Sequence, residues 1–142
     1  NSGYAVNLLG GYEKRLGRNS TLITGLKITY LGGKRYSPAD IAASNTRGNL
    51  VVIDSLRNTL QFKPYFRADA KLGIRVNTRK VTHELGLDLI NISGAKNVLS
   101  LVYSSDLAAT GVADPFYYQY QLGFLPIFYY RIDFAIHQPD KN

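Results

Sequence analysis

The feature that most restricts the fold of this sequence is an unbroken two-residue alternation in "PYFRADAKLGIRVN", residues 64 to 77. Phe66, Ala68, Ala70, Leu72, Ile74 and Val76 hold the even positions. Arg67, Asp69, Lys71, Gly73, Arg75 and Asn77 hold the odd ones. Successive side chains of an extended strand point to opposite faces, so this stretch is predicted as a strand with one apolar and one charged face. The same period recurs. From about Gly3 to Leu16, Tyr4, Val6, Leu8, Gly10 and Tyr12 lie opposite Asn7, Gly11, Glu13 and Arg15. From about Ser20 to Tyr36, Leu22, Leu26, Ile28 and Tyr30 lie opposite Lys27 and Thr29. From Val81, Leu85, Leu87 and Leu89 oppose Glu84, Gly86 and Asp88; the phase breaks near "NISGAKN", where a bulge is expected, and resumes at "VLSLVY". From Phe116 to Phe134 the even positions run without a break through Phe128, Tyr130 and Ile132, which predicts one continuous strand. Its odd positions include Gln119, Gln121, Arg131 and Asp133, with Leu125 and Ile127 as apolar exceptions.

"GRNS" and "NTRK" carry turn chemistry, whereas 37–61 and 104–115 read as long loops. Within the first loop, "SPADIAAS" allows a short helical turn with Ser37 as cap and Pro38 at the first position. No longer amphipathic helix is expected. The fold class is therefore all-β: a long antiparallel meander of about five strands. These segments exceed the usual strand of about 5–6 residues two- to three-fold.

Alternation does not say which face meets water. In a small soluble barrel the apolar face points inward; in an outer-membrane barrel it points at lipid and the polar face lines a lumen. Three features favour the membrane barrel. The strands are long. Aromatics gather near strand ends (Tyr30, Tyr36, Tyr65, Phe66, Tyr103, Phe116, Tyr117, Tyr118), as interfacial girdles require. Short turns alternate with long loops. Composition is compatible: 45% of 142 residues are hydrophobic and the formal net charge is +7. Cysteine is absent, which excludes disulfides and thiolate metal sites. No apolar run approaches the roughly 18 residues of a membrane helix. No secretory leader is visible in "NSGYAVNLL", and methionine is absent, so a processed chain or a piece of a longer one is expected.

The segments "NLLGGYEKRLGRNSTL", "GGKRYSP", "PYFRADAKLGIRVN", "KVTHELGLDLINISGAKNV" and "QLGFLPIFYYRIDF" resemble, in order, the C-terminal strands of Bacteroidetes-type TonB-dependent outer-membrane receptors. The most specific pieces are "KVTHELGLDLINI" and "LPIFYYRIDF". The resemblance implies the last five strands of a 22-stranded transmembrane β-barrel over 1–134, with a tail at 135–142. It implies uptake of a bulky ligand driven through TonB. The implied partners are the remaining strands and a plug domain in the same or another chain, TonB, the barrel-assembly machinery, outer-membrane lipid and a surface lipoprotein. The plug has no counterpart here, "AIHQPDKN" runs past the usual terminal aromatic, and five strands cannot close an even-numbered barrel. Arg67, Asp69, Lys71, Arg75, Glu84, Asp88, Arg131 and Asp133 become lumen-lining candidates. Phe128, Tyr130, Ile132 and Phe134 resemble the C-terminal signal read by the assembly machinery, and would equally serve as lipid-facing wall.

No catalytic constellation stands out, and no enzyme activity, cofactor or metal site is expected. His83 and Glu84 are strand neighbours and point apart; a wall or rim histidine is the plainer reading. His137 falls in the tail. The carboxylates sit singly beside basic residues, which suggests pairing and not an acid/base couple. The glycine-rich "LGG" stretches lack the lysine and helix of a phosphate loop. Asn19-Ser20-Thr21 and Asn91-Ile92-Ser93 match the glycosylation pattern, which the resemblance to a bacterial barrel implies is by chance. The basic residues share a face with Asp69, which argues against nucleic acid. A soluble all-β ligand-binding domain in the lipocalin manner, or a structural barrel piece of a larger membrane complex, remains the alternative. Three structural expectations follow. Both short turns lie at one end of the sheet and both long loops at the other. Leu72, Ile74, Phe128, Tyr130 and Ile132 face outward. The hairpin register sets Asn77 opposite Thr82, Arg75 opposite Glu84 and Lys71 opposite Asp88, because the neighbouring allowed register would oppose Asp69 and Asp88.

Overall fold

Where the two-residue period is strongest, the chain is extended and paired. The structure, a computed structural model, describes residues 3–134. The strands β1 (Ala5–Arg15), β2 (Ser20–Leu31), β5 (Tyr65–Asn77), β6 (Val81–Ile90) and β9 (Leu125–Phe134) form a five-stranded antiparallel sheet in that order. The five segments are thus neighbours in sequence order, as the meander required. The sheet is open: β1 and β9 are its edges. Two shorter ladders accompany it, β3 (Arg35–Tyr36) with β4 (Leu60–Gln61), and β7 (Val98–Tyr103) with β8 (Phe116–Tyr120).

The chain divides into two compact units. Among the described residues one comprises 7–28, 67–95 and 123–134. It contains both tight turns and the long runs of ladder. The hairpin between β5 and β6 closes on Thr78, whose N–H and hydroxyl both donate to the Val81 carbonyl (2.8 and 2.6 Å). The register is the one that charge pairing selects: Asn77 opposite Thr82, Arg75 opposite Glu84, Leu72 opposite Leu87 and Lys71 opposite Asp88. β9 continues the sheet with Glu84 opposite Arg131 and Gly86 opposite Tyr129.

The other unit comprises 3–6, 29–66 and 96–122 and contains both long loops. The first loop is ordered by α1 (Ile41–Arg47), which begins later than the sequence suggested. Its cap is Asp40, not Ser37: the Asp40 carboxylate accepts from Ala43 N–H at 2.9 Å. Pro38 cannot open the helix because the stretch before it is held extended. The Pro38 carbonyl accepts from Ile53 N–H at 3.0 Å, and Ala39 bridges Val52. Gly48 ends the helix in the left-handed region at φ 67°. The second loop holds a helix the sequence reading omitted, α2 (Ser105–Ala109), capped by Ser104.

Two segments expected as single strands are divided. The second segment stops at Leu31 and resumes at Arg35. Gly33 lies so close to Phe62 that a Cβ would overlap its carbonyl oxygen. The fifth segment splits into β8 and β9, and 121–124 make no ladder. Its partner splits too, into β6 and β7, and the interruption at 91–97 is larger than the one-residue insertion of a bulge. Asn91 starts it, fully buried and at φ 52°. Its side chain donates to the Ala95 carbonyl (3.0 Å) and accepts from Ser93 Oγ (2.9 Å) and Ala95 N–H (3.2 Å). An asparagine so occupied cannot be a glycan acceptor. Asn97 ends the excursion. Its amide accepts from Phe66 N–H (2.9 Å) and donates to Phe66 carbonyl (2.8 Å), so a side chain stands in for a backbone rung. The tail 135–142, with His137, lies outside the described residues.

Candidate functional site

The charged face of β5, β6 and β9 carries a connected polar network, and the register builds it. Glu84 stands directly opposite an arginine on each side, Arg75 on β5 and Arg131 on β9. Arg75 reaches Glu84 Oε2 through Nε and through its terminal nitrogen, both at 3.0 Å. Arg131 reaches the same oxygen at 2.9 Å. The other carboxylate oxygen accepts from the Tyr129 hydroxyl at 2.9 Å. Glu84 is only 2% exposed. Both of its oxygens are met by donors: two guanidinium groups on one and a phenol hydroxyl on the other.

Tyr129 has room to do so because of glycine. Gly73 and Gly86 are cross-strand partners, and Tyr129 is the partner of Gly86 on the other side. Its ring lies over Gly86, where any Cβ would collide with it. From there Lys71 Nζ sits 4.7 Å above the ring centroid, a cation–π arrangement. Tyr129, Gly73 and Gly86 were not among the expected site residues. The legible signal was an aromatic at an odd, polar-face position in "LPIFYYRIDF", whose other aromatics hold even positions.

The other expected lining residues join in smaller pairs. Lys71 approaches Asp88 at 4.0 Å, Arg131 pairs with Asp133 at 3.0 Å, and Arg67 with Asp69 at 2.9 Å. Asp69 has a second duty, accepting from Asn91 N–H at 2.9 Å, which anchors the start of the 91–97 excursion. The eight charged candidates are thus mutually neutralised. No group of three or more His, Asp or Glu side chains that could hold a metal occurs among the described residues.

The opposite face is apolar and uncovered. Leu72, Ile74, Leu85, Tyr130, Ile132 and Phe134 are exposed, and Phe128 is 76% exposed. Leu72, Ile74, Phe128, Tyr130 and Ile132 thus share one exposed face of an open sheet and are not gathered in a closed interior. His83 lies on this face with its Nδ1 2.7 Å from the Tyr130 hydroxyl and its ring stacked on that tyrosine, away from Glu84. In the other unit the aromatics form their own cluster. Tyr36 stacks on Phe62 (centroids 4.0 Å), Phe62 meets Tyr118 edge-on, and Tyr103 meets Phe116. Burial, and then a hydrogen bond with Tyr118, raise the Tyr36 phenol above its ordinary value.

Comparison with protein-family models, with curated proteins and with solved structures returned no match to this chain.

Proposed function

We propose that this chain forms wall strands of an outer-membrane β-barrel receptor. The observation that carries the reading is the contrast between the two faces: Glu84, only 2% exposed, is enclosed by its ion-pair partners on one face, and Phe128 is 76% exposed on the other. In water, leaving a large side chain such as Phe128 exposed forgoes roughly 1.5–3 kcal/mol. A face with this many exposed apolar side chains is far larger than solubility tolerates. Facing lipid, the same side chains cost nothing, and the paired charges keep water on their own side.

Strand length supports the same reading. The strands of the main sheet have 10 to 13 residues. At about 3.3 Å per residue and a tilt near 45°, they span roughly 23–30 Å along a membrane normal, close to the apolar band of about 25 Å. No helix of the described residues is long and apolar enough to cross a membrane, which says nothing about strands. The open edges β1 and β9 require neighbouring strands, from the same or another chain. The resemblance of "KVTHELGLDLINI" and "LPIFYYRIDF" to TonB-dependent receptors makes the proposed task TonB-driven uptake of a bulky ligand. A plug, TonB, the assembly machinery and a surface lipoprotein would be its partners. Arg67, Asp69, Lys71, Arg75, Glu84, Asp88, Arg131 and Asp133 would then line the lumen. Phe128, Tyr130, Ile132 and Phe134, alternating along edge strand β9, would serve as the assembly signal.

The chain has no cysteine, so single-cysteine spin labels are unambiguous. In lipid bilayers, labels at Leu72, Ile74 and Phe128 should collide with dissolved oxygen and be shielded from a water-soluble nickel chelate. Labels at Lys71 and Asp88 should show the reverse. Equal accessibility on both faces, or a folded monomer without detergent or lipid, would defeat the proposal.

A further inference from the structure

Beside the Glu84 network, where the β1–β2 turn meets the end of β5, lies a polar hollow of about 490 Å³. Small-molecule sites commonly run from about 300 to 1,000 Å³. Arg15, Arg18 and Arg75 line it, with Ser20, Thr21 and one acidic residue, Glu13. Arg75 is held in place by its two contacts to Glu84. Its remaining nitrogen faces Glu13 at 3.6 Å, too long for a good hydrogen bond. Arg15 and Arg18 have no carboxylate partner among the described residues, unlike the arginines of the neighbouring network. The turn is tied down as well: Asn77 N–H donates to the Asn19 carbonyl at 2.8 Å, and Leu16 N–H to the Ser20 carbonyl at 2.9 Å.

We propose that this hollow binds a phosphate-class oxyanion. Two guanidinium groups without counter-charges, beside a third that is pre-positioned, present planar donor forks that match a tetrahedral oxyanion. Glu13 already faces the outer nitrogen of Arg75 at 3.6 Å and competes with the anion for it, so it sets the affinity from within the site. The inference rests on this cluster alone and does not depend on the membrane reading.

The test is a titration of the full chain, in uncharged maltoside micelles at constant ionic strength, with inorganic pyrophosphate. Binding is followed by the ¹⁵N resonances of the arginine side chains. Saturable binding is expected. Arg15→Gln and Arg18→Gln should each weaken it by about fivefold or more, as the loss of a charge-assisted hydrogen bond implies. Glu13→Gln should tighten it. Arg79→Gln removes the same charge from the other tight turn, outside the hollow, and should leave binding unchanged. A second titration with short-chain phosphatidylglycerol distinguishes the source: tighter binding of pyrophosphate points to a free anion, tighter binding of the lipid to a headgroup, and both retain the oxyanion chemistry. Non-saturable shifts, an Arg79→Gln variant weakened as much as Arg15→Gln, or a Glu13→Gln variant that binds no more tightly would overturn the proposal.

Discussion

Gly86→Ala isolates the contact that the sequence hid best. A Cβ at Gly86 would collide with the Tyr129 ring, so the ring must leave its place. Leaving it breaks the 2.9 Å hydrogen bond from Tyr129 to Glu84 and removes the ring from beneath Lys71. A hydrogen bond to a charged acceptor is worth about 1.5–3 kcal/mol. A partly exposed cation–π contact adds about 0.5–1 kcal/mol. Replacing glycine by alanine in a strand returns about 0.5–1 kcal/mol of backbone entropy. The net cost is therefore about 1–3.5 kcal/mol, with about 2 as the centre of that range. Gly73→Ala is the matched control. Its Cβ would meet Leu85 carbonyl at 3.4 Å and the Tyr129 hydroxyl at 3.6 Å, ordinary contact distances, so it should be neutral or slightly stabilising. Urea unfolding in detergent micelles, followed by far-UV circular dichroism, reads the change as a shift in midpoint at constant slope. In a Tyr129→Ala background the sign should reverse, and Gly86→Ala should stabilise by about 0.5–1 kcal/mol. If Gly86→Ala costs the same with and without Tyr129, or no more than Gly73→Ala, the ring is not what the glycine accommodates.

Three further substitutions probe other levels of the structure. Leu72→Arg should destabilise the chain by about 2–4 kcal/mol at a bilayer midplane, and a cost near zero in urea unfolding from lipid bilayers would argue against lipid contact. Asn97→Ala leaves the Phe66 N–H and carbonyl without their rung, at about 1–3 kcal/mol; faster amide exchange at Phe66 is the local signature, and unchanged exchange would contradict it. Gly33→Ala forces the backbone away from Phe62, so the Phe62 amide, which donates to the Lys34 carbonyl at 3.0 Å, should lose its protection while β6 amides keep theirs.

Much of the main sheet was legible because a strand reports its own faces. Alternation in "PYFRADAKLGIRVN" assigns every side chain to one side or the other without knowledge of any neighbour. The β5–β6 register was legible for a related reason: the turn is short, so few offsets compete, and only one of the two weighed keeps Asp69 from Asp88. Half of the site followed from that register, namely Arg75 with Glu84 and Lys71 with Asp88. The other half did not. Arg131 and Tyr129 reach Glu84 only through the β6–β9 register, and β7, α2 and β8 intervene in the chain between those strands.

Alternation also persists where the regular ladder is interrupted. Leu122 and Phe124 keep the parity of their neighbours, yet 121–124 lie outside β8 and β9; period reports which face a side chain takes, whereas a ladder depends on what the strand across offers. The same holds at 91–97, where Asn91 and Asn97 turn side-chain amides into backbone substitutes, a role that depends on what lies across from them. The sequence reading placed the cap at Ser37; the hydrogen bond from Ile53 N–H to the Pro38 carbonyl holds that stretch extended, and the cap falls to Asp40, a residue type equally suited to it. The sequence by itself determined the class of the sheet, its two faces and one hairpin register, since these depend on neighbours near in the chain. The tertiary structure decided the Glu84 hub, the Gly86–Tyr129 contact and the breaks in the long strands, since each requires two segments distant in sequence to meet at one residue.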